Sequence, residues 1–144
     1  MTEAQGCSCT FLIIENDLDE VLLIQAEIIY HKPRSGLIQL FSDEDEFLKW
    51  LKACAEHPEG TALAHPCILL VDLYPSTYLL GELVQLVRSA WSGRLPIVVM
   101  FGTESEKDYF DLNDLQLAGY VIKPVTMEQL EGLERSICSF NSGE

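Results

Sequence analysis

Apolar runs that end abruptly in charged residues are the sequence feature that most constrains the fold. The three clearest cases are residues 11–14 before Glu15, residues 67–71 before Asp72, and residues 120–122 before Lys123. Continuous runs of this kind are typical of strands that are covered on both faces. In an open parallel sheet the strand ends share one edge, and ligands bind in the crevice outside it. The pattern therefore predicts an acidic, cation-binding pocket that contains one fixed positive charge.

Strand-like and helix-like segments alternate five times along the chain. The predicted strands are residues 11–14, 37–41, 67–71, 96–101 and 120–122, and the predicted helices begin near residues 18, 43, 78, 104 and 126. Capping signals precede three of the helices, at Ser42 with Asp45, at Thr103–Glu106 and at Thr126 with Gln129. The fourth helix is predicted to reach residue 117, and residues 55–66 are predicted to form the longest loop. Because right-handed crossovers connect parallel strands, five such units predict an α/β, doubly wound, three-layer sandwich.

Composition and charge restrict the class of protein. A chain of 144 residues with 48% hydrophobic content suits one domain, predicted at residues 10–141 after a flexible tail at 1–9, with no output domain. We find no apolar window long enough to span a membrane and no basic segment typical of a secretory signal, so we expect a cytoplasmic protein. The formal charge of −14 disfavours nucleic acid as a ligand and favours proteins or cations.

The cysteines and histidines show no ligand-like spacing. Five cysteines are an odd number, and three of them, Cys54, Cys67 and Cys138, lie in apolar segments. This usage favours unreactive thiols in a reducing compartment over metal or redox chemistry.

Four motifs occur in order along the chain: Ile-Ile-Glu-Asn-Asp, Ile-Leu-Leu-Val-Asp, Pro-Ile-Val-Val-Met and Gly-Tyr-Val-Ile-Lys-Pro. Their order and separations resemble the receiver domain of two-component response regulators over about residues 10–140. The long loop before the third strand and the segment 109–112 are most similar to small stand-alone receivers that serve bacterial phytochrome-type kinases. The resemblance implies a flavodoxin-like (βα)5 fold with strand order 2-1-3-4-5.

The resemblance also assigns a phosphoacceptor and a magnesium site. Asp72 matches the phosphoacceptor, and Glu15 and Asn16 match the acidic pair that holds Mg²⁺. Asp72 and the backbone carbonyl of Tyr74 would complete the metal site, with Asp17 as a further candidate ligand. A hard cation held by oxygen atoms would offset the repulsion between a carboxylate and a phosphoryl group. Without it, the carboxylates should crowd one another and raise at least one pKa.

Four further positions match the family. Lys123 matches the lysine that binds a phosphoryl oxygen, and Tyr120 matches the aromatic switch position. Phe101 occupies the second switch position, at the end of strand four. The Lys123–Pro124 peptide bond matches one that is commonly cis in the family. Taken alone, Tyr120 could also be a half-buried core aromatic.

Three departures from the family pattern weaken the case for a switch driven by phosphorylation. Asn16 stands where a second acid is usual, which should weaken Mg²⁺ binding. Phe101 stands where the family has Thr or Ser, and a phenyl ring cannot hydrogen-bond a phosphoryl group. Pro75 follows Asp72 one residue earlier than usual.

The leading hypothesis is a single-domain response regulator in a phosphorelay. It would accept a phosphoryl group on Asp72 from a sensor histidine kinase of a bacterial two-component system, and signal to a downstream protein partner by direct contact. It would have no turnover substrate and so would not be an enzyme in the usual sense. Helix 4, strand 5 and helix 5 could form a homodimer interface.

The alternative is a pseudo-receiver, a protein-binding module that works without phosphorylation. A small hydrolase is a weaker third hypothesis, because Asp72-Leu73-Tyr74 lacks the second acid of an Asp-x-Asp motif.

Overall fold

Five parallel strands form a single sheet in the order β2-β1-β3-β4-β5. The computed structural model describes residues 9–31, 38–75, 77–92, 94–108 and 115–142, and only the backbone of 138–142. The strands are β1 (Thr10–Ile14), β2 (Ile38–Phe41), β3 (Cys67–Asp72), β4 (Ile97–Phe101) and β5 (Gly119–Ile122). This order confirms the predicted flavodoxin-like fold.

The helices connect successive strands. They are α1 (Leu18–His31), α2 (Glu44–Glu56), α3 (Leu80–Ala90), α4 (Glu104–Asp108) and α5 (Met127–Ser142). Within the described residues no helix is both long and apolar enough to cross a membrane.

Alternate residues of each strand enter two separate cores. Leu12, Leu69 and Val99 belong to the cluster that includes the buried residues of α2 and α3. Ile13 and Leu70 belong to the cluster that contains buried residues of α1 and α5. Because both faces of the sheet are covered, most strand positions are apolar, which explains the continuous apolar runs.

Two predicted element boundaries are wrong. The N-cap of α2 is Asp43, whose side chain accepts the backbone N–H of Glu46, whereas the Ser42 hydroxyl donates to the Glu46 carboxylate. The predicted extension of the fourth helix to residue 117 is also wrong, because Gln116 has a positive φ of 55°, and α4 is described over Glu104–Asp108. The segment 109–114, which includes the motif at 109–112, lies outside the described residues.

The predicted loop at 55–66 is shorter than expected and partly ordered. α2 continues to Glu56, and Ala62–Ala64 form a single turn of 3-10 helix. The Cys67 thiol lies 3.1 Å from the carbonyl oxygen of Ala62 in this turn. Burial raises the pKa of Cys67 to about 11. Cys54 and Cys67 are free thiols, and Cys7 and the side chain of Cys138 lie outside the described residues.

Candidate functional site

A cavity of about 260 Å³ opens at the carboxyl edge of the sheet. Its polar side chains come from the ends of β1, β3 and β5 and from α4: Glu15, Asn16, Asp17, Asp72, Glu106 and Lys123. Tyr74, Met100 and Gly102 also line it. The structure therefore brings together every residue predicted for the phosphoacceptor, metal and phosphate-binding positions.

Lys123 forms ion pairs with two carboxylates from different strands. Its Nζ lies 2.5 Å from Asp72 Oδ1 and 3.0 Å from Glu15 Oε1. The backbone fixes this arrangement, because the N–H of Glu15 donates to Phe41 O at 3.0 Å and the N–H of Lys123 donates to Phe101 O at 2.8 Å. Both residues thus continue the hydrogen bonding of the sheet one position past the strands, so their side chains start from a rigid edge.

The surroundings of Asp72 disfavour the ionised form of its carboxyl group. Burial raises the pKa of Asp72 from its usual 3.8 to about 6, and the neighbouring Glu15 charge also raises it, although the hydrogen bond from Lys123 opposes both effects. The expectation that crowded acids would raise at least one pKa holds in part, because the charge of Glu15 contributes to the raised pKa of Asp72 but burial is the larger cause.

Lys123 remains charged despite its position. Burial acts against the ammonium group, but the hydrogen bond to Asp72 and the negative charges of Asp72 and Glu15 outweigh it, so the pKa of Lys123 is raised above its usual range. The cavity therefore contains one permanent positive charge.

The Glu15 carboxylate is the most buried charged group that lines the cavity. Its side chain is 1% exposed. Oε2 accepts the backbone N–H of Asp17 at 3.1 Å, whereas Oε1 finds no hydrogen-bond partner within the described part of the chain and forms the ion pair with Lys123. A buried carboxylate oxygen without a hydrogen bond is a donor suited to a hard cation.

The remaining candidate ligands lie at the mouth of the cavity. Asn16 and Asp17 are exposed, and one Asp17 oxygen accepts the N–H of Asp19 at 2.9 Å at the start of α1. Among the described residues, no three His, Cys, Asp or Glu side chains converge closely enough to hold a metal by themselves. Glu15 and Asp72 offer two carboxylate ligands for Mg²⁺. For the site to fit this ion, the side chain of Asn16 or the backbone carbonyl of Tyr74 has to supply a further oxygen ligand.

The two predicted switch residues do not line the cavity. Phe101 is completely buried, and Tyr120 is 38% exposed. Their rings pack with centroids 5.9 Å apart at 66°. Lys107 Nζ lies 3.2 Å from the Tyr120 hydroxyl and 4.9 Å from the ring centroid. The Lys123–Pro124 peptide bond is cis, as the resemblance implied.

Gly102 and Glu106 are site residues that the sequence reasoning missed. The N–H of Gly102 donates to Glu106 Oε1 at 2.7 Å, and the N–H of Glu106 lies 3.3 Å from Thr103 Oγ1. The capping signal at Thr103–Glu106 was visible in the sequence. It indicates the start of a helix and does not show that the acid faces a cavity.

Comparison with solved structures gives strong similarity in fold. The bacteriophytochrome response regulator RtBRR has a TM-score of 0.65 and 24% identity, over 88% of this chain and 75% of that one. The bacteriophytochrome response regulator AtBRR has a TM-score of 0.64 and 18% identity, over 88% and 89%. The Saccharomyces cerevisiae complex of the histidine phosphotransfer protein Ypd1 with the receiver domain of Ssk1 matches with a TM-score of 0.62 and 17% identity, over 89% and 87%.

No family model matches the sequence, and no curated protein gives a significant match. The similarity is therefore one of three-dimensional structure. The strand order of the sheet agrees with this similarity. The chain has the fold of the response-regulator receiver domains.

Proposed function

We propose that this chain is a response regulator that accepts a phosphoryl group on Asp72 from a phosphohistidine of a partner protein. The observation that supports the proposal is the convergence of Asp72, Glu15 and Lys123 from three strands on one cavity. The similarity in fold to receiver domains agrees with this chemistry.

The transfer step needs a carboxylate nucleophile and a counter-charge. An oxygen of Asp72 attacks phosphorus, the P–N bond breaks, and its electron pair remains on the imidazole nitrogen of the donor. The product is an acyl phosphate. Lys123 compensates the negative charge on the phosphoryl oxygens, since its ammonium group is a compact point charge.

Glu15, Asn16, Asp72 and the carbonyl of Tyr74 would hold magnesium at this site. When bound, the ion would reduce the repulsion between the carboxylates and the phosphoryl group. The protein's own contribution is to keep Asp72 beside Glu15, whose carboxylate is buried.

We propose a sensor histidine kinase or a histidine phosphotransfer protein as the phosphodonor, in the cytoplasm of a bacterium. Tyr74, which lines the cavity, is 76% exposed. Its ring would offer such a donor an apolar contact beside Asp72. Output through a downstream protein and a homodimer through α4, β5 and α5 stay predictions, and part of that face lies outside the described residues. The proposal includes no turnover substrate.

Phosphodonor labelling tests this function directly. The purified chain is incubated with magnesium and a small phosphodonor such as acetyl phosphate, and its intact mass is measured. We expect one added phosphoryl group in the wild type and none in Asp72→Asn. A wild type that stays unmodified, or an Asp72→Asn variant that is modified equally, contradicts the proposal.

A second candidate function is a binding module that works without phosphorylation. The buried phenyl ring of Phe101 favours it, because the end of β4 then supplies no side-chain hydroxyl to the cavity. In this case calorimetry should detect no magnesium binding. A partner isolated with the wild type should also bind Asp72→Ala with equal affinity.

A further inference from the structure

The carboxylate of Glu106 accepts a hydrogen bond from a backbone N–H group that lines the cavity. Its Oε1 accepts the N–H of Gly102 at 2.7 Å, and both residues line the cavity that contains Asp72. Gly102 has room for this contact because it lacks a side chain. A Cβ atom there would lie only 3.3 Å from the same carboxylate oxygen.

The charge balance of the cavity makes this contact consequential. Glu15, Asp17, Asp72 and Glu106 line the cavity together with one cation, Lys123. An entering phosphoryl group has to find hydrogen-bond donors and avoid negative charge. The backbone N–H of Gly102 is an uncharged hydrogen-bond donor at this edge of the cavity. It already donates to the negatively charged side chain of Glu106.

An equivalent hydrogen bond, between Ser42 and Glu46, shows what this contact does where no cavity is involved. Glu46 Oε1 accepts the N–H of Ser42 at 2.7 Å in front of α2, with the same spacing along the chain. Glu46 does not line the cavity. Capping alone therefore explains the contact at Glu46, whereas at Glu106 it also changes the site.

We propose that Glu106 is a regulatory residue that competes with the incoming phosphoryl group for the Gly102 N–H. The proposal rests on the proposed function, because it concerns loading of Asp72. Displacement of the Glu106 carboxylate is then a requirement for stable phosphorylation. A partner that draws Glu106 away from the cavity would promote loading.

The test compares graded substitutions at one position. Glu106→Gln removes the charge and keeps an acceptor, and Glu106→Ala removes both. Gly102→Ala keeps the charge, and its added Cβ atom, 3.3 Å from the carboxylate oxygen, requires that oxygen to move by a few tenths of an ångström. Glu46→Ala is the matched control, since it removes the same type of cap outside the cavity. Thermal unfolding of all variants shows whether loss of a cap alone changes the fold.

Affinity is measured with beryllium fluoride and magnesium chloride, a mimic of a carboxylate-bound phosphoryl group, by following the Gly102 and Asp72 amide signals in NMR spectra. We expect Glu106→Ala to bind about two- to fivefold more tightly than wild type, the range for one exposed like charge. The affinity of Glu106→Gln should lie between those of wild type and Glu106→Ala. Gly102→Ala should also bind the mimic more tightly than wild type, and Glu46→Ala should bind it as wild type does.

The outcomes separate the two proposals. If wild type binds the mimic and Glu106→Ala and Gly102→Ala bind no more tightly, Glu106 has no regulatory role and the phosphoacceptor function stands. Binding by Glu106→Ala where wild type shows none supports the role of Glu106 and corrects the proposed function. If no variant binds, both proposals are overturned.

Discussion

The pKa of Asp72 connects the site to the stability of the protein. Its folded-state value of about 6 lies above the usual 3.8, so between these pH values the folded state keeps a proton that the unfolded state has lost. The contribution of this group to the free energy of unfolding is therefore fully present below pH 3.8. It falls as the pH rises through 6 and stays low at neutral pH.

Asp72→Asn should accordingly stabilise the protein at pH 7 and have little effect at pH 3.5. The shift corresponds to about 3 kcal/mol at most, and an amide can still accept the Lys123 hydrogen bond. Urea unfolding at the two pH values measures the difference. Glu128→Gln, at an exposed acid of α5, is the control for loss of one charge. Equal unfolding free energies for wild type and Asp72→Asn at pH 7 would show that the Asp72 carboxylate costs no stability.

At the same scale, the sequence was sufficient for the residues at strand ends and insufficient for Glu106. Asp72, Glu15 and Lys123 follow apolar runs, and the sheet geometry forces such positions to one edge. The direction of the Glu106 side chain depends on where β4 ends and α4 begins, and no periodic pattern fixes that.

The start of α2 shows why element boundaries were less predictable. Both Ser42 with Asp45 and Asp43 with Glu46 fit the capping spacing, and β2 ends at Phe41. Asp43 is extended, with φ −157° and ψ 172°, and accepts the Glu46 N–H at 2.8 Å. We expect Asp43→Ala to lower the free energy of unfolding by about 1 kcal/mol, as is typical of an N-cap. Ser42→Ala should cost less than half as much in the same urea titration, and the reverse order would identify Ser42 as the cap.

The connection from β5 to α5 holds Lys123 through one side chain. Gln129 accepts the Ile122 N–H at 2.9 Å, and its Nε2 donates to Pro124 O at 2.9 Å. These bonds brace the residues on both sides of Lys123. Gln129 is therefore a positioning residue, since its side-chain hydrogen bonds within the described residues go to Ile122, Pro124 and Thr126.

Gln129→Ala should lower both stability and phosphoryl loading. Loss of these two hydrogen bonds, and of a third from Nε2 to Thr126 Oγ1 at 3.3 Å, should cost about 1.5–4 kcal/mol of unfolding free energy. Loading of Asp72 from acetyl phosphate should slow because Lys123 is less well held. Gln129→Glu tests the positioning role, since it keeps the acceptor for Ile122 and loses the donor to Pro124. Unchanged loading by Gln129→Ala would show that Lys123 is positioned without this side chain.

At the scale of the whole molecule, the layer order was predictable because apolar runs alternate with helical patterns along nearly the entire chain. The number of buried side chains on α1 was less predictable. Apolar residues recur there with helical spacing, yet Ile24 is its only buried residue, and Leu22 and Ile29 are 53% and 73% exposed. Periodicity shows which side chains share a face, and the number of them that the sheet covers depends on how the helix packs.

The net charge of −14 leads to a prediction about cations. Like charges repel in the compact state, so salt should raise the melting temperature of the chain by screening. Magnesium should stabilise it further if it binds between Glu15 and Asp72. A ligand at ten times its Kd adds about 1.4 kcal/mol to the free energy of unfolding.

Thermal unfolding in magnesium chloride and in sodium chloride of equal ionic strength separates screening from binding. We expect wild type to gain more from magnesium than from sodium. Asp72→Ala, which removes a carboxylate ligand from the cavity, should gain equally from both. An Asn16→Asp variant should gain more from magnesium than wild type does, since it adds a second acid beside Glu15. Equal gains from both salts in wild type, together with no increase in Asn16→Asp, would show that the acids of the cavity lower stability only through repulsion and hold no metal.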